Sequence, residues 1–342
     1  MLITLINDPL ERKYSEQGNI KIESHHNKVI ESIISAILEL GNEVLCLEAD
    51  QELEDRLRFI KPQIAFNRSI RKNNNSKHAL APHILEQLEI PFTGSSSKVC
   101  IDAYEKLATK EILENARIPT PKYCVIYEPS KFRLPSDLNF PLFIKPIKGG
   151  CSKGITKRNL VYSEDTCKKE VEEVIRNTHQ PVLVEQFLPG REFTVGILGN
   201  NPPFVLPIFE FIFDSFKTDN VQFRSFHIKM GGKKKESTIC PAPLTKIEQN
   251  NINNLALKIY RVIGCRDYAR IDIRCDNEGI PYILEVNALP SLIPQESSFA
   301  EMARTAGISF NDLIGEILLL ASMRSKNSSN IYPNFSLESL IA

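Results

Sequence analysis

Tyr268-Ala-Arg-Ile-Asp-Ile-Arg274 and Ile280-Pro-Tyr-Ile-Leu-Glu-Val-Asn287, joined by Cys275-Asp-Asn-Glu-Gly279, decide how this chain reads. Apolar and polar residues alternate in both runs, and a Gly-containing connection between such runs predicts a β-hairpin. With the turn centred on Glu278-Gly279, Asp272 falls opposite Glu285 and Arg270 opposite Asn287, and strand parity places all four on one face. Directly opposed carboxylates repel each other unless a cation lies between them, and carboxylates beside an amide are oxygen ligands suited to magnesium. The competing reading is a polar outer sheet face. Against it, Ile271, Ile273, Leu284 and Val286 predict that the opposite face is buried.

Two upstream segments carry further polar chemistry. Phe143-Ile-Lys-Pro-Ile-Lys-Gly-Gly-Cys-Ser-Lys-Gly154 reads as a buried strand entering a small-residue loop with Lys145, Lys148 and Lys153. Glycines let backbone N–H groups approach a polyphosphate, and lysines neutralise it. The P-loop pattern is absent, and a Gly/Lys loop taken alone is more often a solvated turn. Val182-Leu-Val-Glu-Gln-Phe-Leu-Pro-Gly-Arg-Glu-Phe-Thr-Val195 reads as strand, turn, strand. Free backbone groups at that hinge could read an adenine edge, and Glu192 could accept from ribose hydroxyls. In isolation, Glu185 and Glu192 are as readily surface glutamates.

The rest of the chain sets the frame. Its 342 residues carry 42 Lys plus Arg against 42 Asp plus Glu, which argues against a dedicated nucleic-acid binder. The length and the 42% hydrophobic composition predict a globular protein of two or three domains. No apolar run approaches the roughly 20 residues that cross a bilayer, and the opening MLITLINDPLER lacks the flanks of a signal peptide, so the expectation is a cytoplasmic protein with no membrane contact. The eight cysteines are scattered without zinc spacing and read as reduced, mostly buried hydrophobes, Cys151 being the exception to consider.

The N-terminal third alternates short apolar runs (Leu2 to Ile6, Glu43 to Leu47, Gln63 to Phe66, Ile90 to Thr93) with helical patterns around Glu23 to Leu40 and Pro82 to Leu88. Such alternation predicts a Rossmann-like parallel sheet over residues 1–96, without a dinucleotide fingerprint. A second unit, 97–191, opens with a helix through Ala103 to Asn115. A third, 192–324, is dominated by antiparallel strands and ends in a helix from Phe310 to about Met323. The tail, 325–342, is rich in Ser and Asn.

Taken together, the three polar segments resemble the ATP-grasp superfamily, and most nearly its D-alanine–D-alanine ligase branch. The resemblance runs over about residues 60 to 323, through Leu85 to Gly94, Glu105-Lys-Leu-Ala-Thr-Lys110, Ile118-Pro-Thr-Pro121, Ile144-Lys-Pro146, Glu185 to Glu192, Ile239-Cys-Pro-Ala242, Ala269-Arg-Ile-Asp272, Leu284-Glu-Val-Asn287 and Ala306-Gly-Ile-Ser309. It implies an α/β (α+β) fold of the ATP-grasp type and a carboxylate–amine ligase. ATP phosphorylates a carboxylate, and an amine then displaces phosphate from the acyl phosphate. Carried over, Lys106 and Lys145 hold the ATP phosphates with the loop at Gly150, Cys151 and Ser152. Gln186, Phe187 and Leu188 line the adenine pocket with Glu185 nearby, and Glu192 binds the ribose. Asp272, Glu285 and Asn287 ligate two magnesium ions, for which manganese could substitute, and Arg270 stabilises charge in transfer. Lys229 is similar to the mobile-loop lysine that closes over the γ-phosphate. The resemblance also suggests a homodimer.

The departures are specific. Cys151-Ser152 stands where the dipeptide ligases have Ser-Ser, Met230 follows Lys229 where Tyr is usual, and Asn67 to Asn75 replaces the usual first-domain motifs. Glu11 is a weak counterpart for the glutamate that grips the first substrate. After Asn287, the run Pro290-Ser-Leu-Ile-Pro-Gln-Glu-Ser297 occupies the acceptor-carboxylate region. ATP and metal positions are kept while amino-acid positions change, which favours a ligase with a different substrate pair in specialised metabolism, such as mycosporine-type amino-acid ligation. The alternatives are a D-alanine–D-alanine ligase of cell-wall synthesis and a non-catalytic ATP-binding protein. Of the remaining features, His25-His26 point about 100° apart on a helix and do not share a metal easily. His227 could reach substrate from the mobile loop, and Lys233 to Lys235 read as a solvated run.

Overall fold

The computed structural model describes residues 1–9, 13–14, 20–21, 24–69, 79–148, 156–213 and 237–324. At the N-terminus, β1 (Leu2–Asn7), the short pair β2 (Lys13–Tyr14) and β3 (Ile20–Lys21), α1 (Ser24–Glu39), β4 (Glu43–Glu48), α2 (Leu53–Ile60), β5 (Ile64–Asn67) and α3 (Leu80–Gln87) follow in order. The expected parallel sheet is present, with strands ordered β4-β1-β5. Burial of every residue of β5 and of Ile3 to Asn7 explains why these strands read as nearly continuous apolar runs. Ile90 to Thr93 adds only a bridge, between Phe92 and Ala65. Pro91 has no N–H to give and contributes its carbonyl to Ala65.

The middle of the chain comprises α4 (Ser97–Tyr104), α5 (Lys106–Asn115), β6 (Tyr123–Ile126), β7 (Leu142–Pro146), β8 (Leu160–Val161), α6 (Glu164–Thr178) and β9 (Val182–Gln186). Its four strands form an antiparallel sheet in the order β6-β9-β7-β8, covered by α6 through Cys167, Val171 and Val174. Next come β10 (Glu192–Leu198), β11 (Phe204–Val205), β12 (Phe209–Ile212), β13 (Ser237–Ile239), α7 (Lys246–Ile263), β14 (Tyr268–Cys275), β15 (Pro281–Asn287), α8 (Ser298–Thr305) and α9 (Phe310–Ser322). Here the antiparallel order is β13-β12-β10-β14-β15, with β11 beside β10. The expected boundaries at 96/97 and 191/192 fall between Gly94 and α4 and between β9 and β10.

The last helix returns to the start of the chain. Residues 313 to 322 of α9 are all buried, and its Leu313, Ile314, Ile317 and Leu318 share one core with Ile3, Leu5, Ile33 and Ile37. A polar junction lies beside that core. Asp267, fully buried at φ +65°, accepts from Gly94 N at 2.7 Å, from Asn200 Nδ2 at 3.0 Å and from both terminal nitrogens of Arg324. It thereby ties the N-terminal segment and the end of α9 to the residue that precedes β14.

The hairpin differs from expectation in a way that spares the site. Its loop is Asn277-Glu278-Gly279, with Gly279 at φ +81°, so Cys275 pairs with Pro281. That is one residue out of the expected register. A β-bulge between Asp272 and Ile273 restores it, so Asp272 meets Glu285 and Arg270 meets Asn287. The bulge also changes which residue faces the core: Ile283 is fully buried, whereas Leu284 is only partly so. Among the described residues no helix is long and apolar enough to cross a membrane. The cysteines divide, with Cys100, Cys167, Cys265 and Cys275 buried, Cys124 and Cys240 intermediate, and Cys46 exposed.

Candidate active site

Alternation along β14 brings Arg270, Asp272 and Arg274 to one face, and the flanking strands supply their partners. Thr194 of β10 lies opposite Asp272 and Glu192 opposite Arg274, while Glu285 and Asn287 approach from β15. The Asp272 carboxylate accepts from Arg270 Nε and Nη2, both at 2.8 Å, from Thr194 Oγ1 at 2.5 Å and from Asn287 Nδ2 at 3.1 Å. Asn287 Nδ2 also lies 3.4 Å from Glu285 Oε1. Burial alone would raise the Asp272 carboxyl, but the bidentate Arg270 guanidinium and the other donors hold it well below the usual carboxylate range. This carboxylate is therefore ionised throughout the neutral range.

Asp272, Glu285 and the amide of Asn287 suit magnesium, which takes one or two carboxylates and completes its octahedron with water and phosphate oxygens. Among the described residues no cluster of three or more His, Cys, Asp or Glu forms a self-sufficient metal cage. Two carboxylates and an amide leave the remaining positions of an octahedron to water and phosphate oxygens, which fits an ion that arrives with a nucleotide.

A second charged cluster lies in the central sheet. Glu185 of β9 contacts Lys145 Nζ of β7 at 2.5 Å and Lys110 Nζ of α5 at 3.0 Å. Lys110 also donates to Thr120 Oγ1 at 2.7 Å. Burial would raise the Glu185 carboxyl, yet the two lysines bring it below its ordinary value, while burial pushes the Lys110 ammonium down to about 8. Lys106 opens α5. Its N–H donates to Ile147 O at 3.1 Å, and the adjacent Glu105 pairs with Lys148 Nζ at 2.7 Å, so Lys106 stands at the end of the strand that bears Lys145. At the end of β9, the N–H groups of Gln186 and of Phe187, which follows it, donate to Lys122 O and Pro141 O. The free backbone groups expected at this hinge are thus not those two donors. Leu188 is buried, and Phe187 stacks on Phe143 with centroids 6.4 Å apart. Glu192 accepts from Arg274 Nη1 at 2.7 Å.

Gly150, Cys151, Ser152 and Lys229 lie outside the described residues, as do Glu11, Lys153, His227, Lys233 to Lys235 and the side chains of His25 and His26. Sequence reasoning passed over Lys110, Thr194 and Arg274. The signals were there to find: Lys110 is one helical turn from Lys106, Thr194 two residues from Glu192, and Arg274 two from Asp272.

The family model for the D-alanine–D-alanine ligase C-terminus matches residues 112–319, which include the hairpin cluster and, of the second cluster, Lys145 and Glu185. The chain belongs to the D-alanine–D-alanine ligase family. It is 30% identical to the D-alanine–D-alanine ligase of Carboxydothermus hydrogenoformans over 85% of this chain and 91% of that one. It is also 29% identical to the uncharacterized protein y4sG of Sinorhizobium fredii, over 87% and 88% of the two chains. The crystal structure of D-alanine–D-alanine ligase from Bacillus anthracis complexed with ATP shares its fold, with a TM-score of 0.71 at 22% identity over 95% of this chain and 98% of that one. As a member of this family the chain is an ADP-forming ATP-grasp ligase that makes a C–N bond, with ATP and magnesium as the family's cofactors. Membership favours the ligase readings over a non-catalytic nucleotide binder.

Proposed function

We propose that this ligase activates the carboxylate of a small amino acid with ATP and joins it to the amine of a second one, two molecules of D-alanine being the first pair to test. The observation that carries the reading is the shared face of Arg270, Asp272, Glu285 and Asn287. In the reaction, a carboxylate oxygen attacks the γ-phosphorus and ADP leaves. The amine then attacks the acyl carbon, phosphate leaves with the acyl C–O bond electrons, and the amine nitrogen loses a proton.

Such chemistry needs positioning and charge neutralisation more than a protein nucleophile. Lys106 and Lys145 hold the phosphates, and Glu185 fixes Lys145. Asp272, Glu285 and Asn287 hold magnesium, which supplies neutralisation of the phosphoryl oxygens. Arg270, braced on Asp272, presents a fixed cation to charge that develops in transfer. Gly150, Cys151, Ser152 and Lys229 are assigned to the phosphates, Gln186 to Leu188 to the base and Glu192 to the ribose, as the resemblance implies. A cytoplasmic homodimer without nucleic-acid partners completes the proposal.

A second reading keeps the chemistry and changes the substrates, as in specialised metabolism. It is favoured by Glu296, an exposed acid 3.7 Å from Lys28 Nζ, in the segment to which the resemblance assigns the acceptor carboxylate. An acid there repels a carboxylate. Incubating the protein with ATP, magnesium and pools of amino acids or other carboxylates, and measuring phosphate, separates the two. Release with D-alanine alone supports the first reading, and release only with other substrates supports the second. No release from any pool sinks both.

A further inference from the structure

Arg274 is the member of the β14 face that the ligase chemistry leaves unassigned. It is only 4% exposed, and an arginine so buried requires a partner. That partner is the cross-strand Glu192, whose Oε2 takes Nη1 at 2.7 Å. The guanidinium also lies 4.7 Å from the Phe187 ring centroid and 5.5 Å from that of Phe213. A planar guanidinium packed against two aromatic rings is restricted in orientation, more so than a lysine ammonium would be. Arg274 thus couples Phe187, in the segment assigned to the base, to Glu192, assigned to the ribose.

The strand gives this coupling a scale. Arg274 follows Asp272 by two residues on the same face, roughly 7 Å along the sheet. A nucleotide whose phosphates meet Asp272 and Glu285 can therefore bring its ribose over the Glu192–Arg274 pair. An ionised carboxylate is purely an acceptor, and burying one requires a nearby cation.

We infer that Arg274 is a positioning residue for nucleotide selection: through Glu192 it sets how strongly the site prefers ribose over 2′-deoxyribose nucleotides. The inference rests on the reading of Glu192 as the ribose acceptor. A purely structural role would weaken the binding of both nucleotides alike.

The test is equilibrium binding of ATP and of 2′-deoxyATP, each with magnesium, to the full-length wild type and to R274Q, R274K and E192Q, with thermal unfolding as the control for folding. A hydrogen bond to a charged group is worth about tenfold or more in binding. Wild type is expected to prefer ATP by at least about tenfold, R274Q by about threefold or less, R274K by an intermediate ratio, and E192Q not at all. A wild-type ratio in R274Q alongside a collapsed ratio in E192Q overturns the role of Arg274 and leaves Glu192 on the ribose. Unchanged ratios in both variants, or a wild type that shows no preference or binds neither nucleotide, overturn both assignments. Should R274Q fail to fold, R274K decides, and a wild-type ratio there overturns the inference. Because binding is the readout, failure to find the ligated substrates does not affect the result.

Discussion

Asp272 and Glu185 are both carboxylates set among cations, in two different antiparallel sheets, and their surroundings differ in one decisive respect. Asp272 and its partner Arg270 each keep 14% of their side-chain surface open, whereas Glu185, Lys110 and Lys145 keep 5%, 1% and 8%. In the proposed site the first cluster is open enough to take a phosphate or a cation as a further partner. The second is closed, so its carboxylate serves to compensate two buried ammonium groups and to hold Lys145 in place. Similar chemistry is thus left partly open in one sheet and closed off as a fixed support in the other.

The sharpest way to break this contrast is Glu285→Gln, which removes a proposed metal ligand from the open cluster. Turnover should fall by about a thousandfold or more, on the order of 4 kcal/mol of transition-state stabilisation. The midpoint of thermal unfolding should stay close to wild type, because Glu285 is only partly buried and its bond with Asn287 is long at 3.4 Å. Near-normal turnover in this variant would show that the metal assignment is wrong.

Glu185→Gln should do the reverse and act first on stability. It leaves Lys110 and Lys145 buried without their counter-charge, a change that typically costs about 3–5 kcal/mol. Urea unfolding at pH 7 measures it. Lys110 titrates at about 8 when folded, below its ordinary value of 10.5. Between those values the unfolded chain binds more protons, so this group's contribution makes stability rise with pH. In the variant that window should open at lower pH, and part of the lost stability should return by pH 9. If stability is unchanged at pH 7, the closed cluster does not have the role assigned to it.

How much of this contrast could be read in the sequence differs between the two clusters. The open one lies on a single hairpin, where parity alone places Arg270, Asp272, Glu285 and Asn287 together. Even so, the expected turn was one residue out, and the bulge that corrects it exchanges Ile283 for Leu284 in the core. The closed cluster joins a helix to two strands that are distant in sequence, so Lys110 looked no different from Lys106 until packing buried it. Arg274 was visible by parity, but its aromatic neighbours come from other segments. The N-terminal parallel sheet and the final helix were both legible from periodicity. That the final helix packs on α1 was not, since no local pattern says which distant surface covers an apolar face.

Glu316 completes the comparison, because it is a buried carboxyl for which burial alone accounts for the shift. It lies on α9, 4% exposed, and its Oε2 accepts no hydrogen bond among the described residues. Burial pushes its carboxyl up to about 7. A folded value above the unfolded one means that the native state holds the proton more tightly between them, so this group's contribution is greatest below about 4.5 and declines as pH rises to 7. From the ordinary value of 4.5 to about 7, this amounts to at most about 3 to 4 kcal/mol. Glu316→Gln keeps the shape of the side chain and removes the titration. The variant should match wild type near pH 4.5 and be more stable at pH 8, where the carboxylate of the wild type must ionise inside the α9 core. Urea unfolding at the two pH values measures the difference. A gap that stays constant with pH would mean that Glu316 finds a partner on ionising, and the distinction between a compensated and an uncompensated buried carboxylate would no longer separate α9 from the two charged clusters.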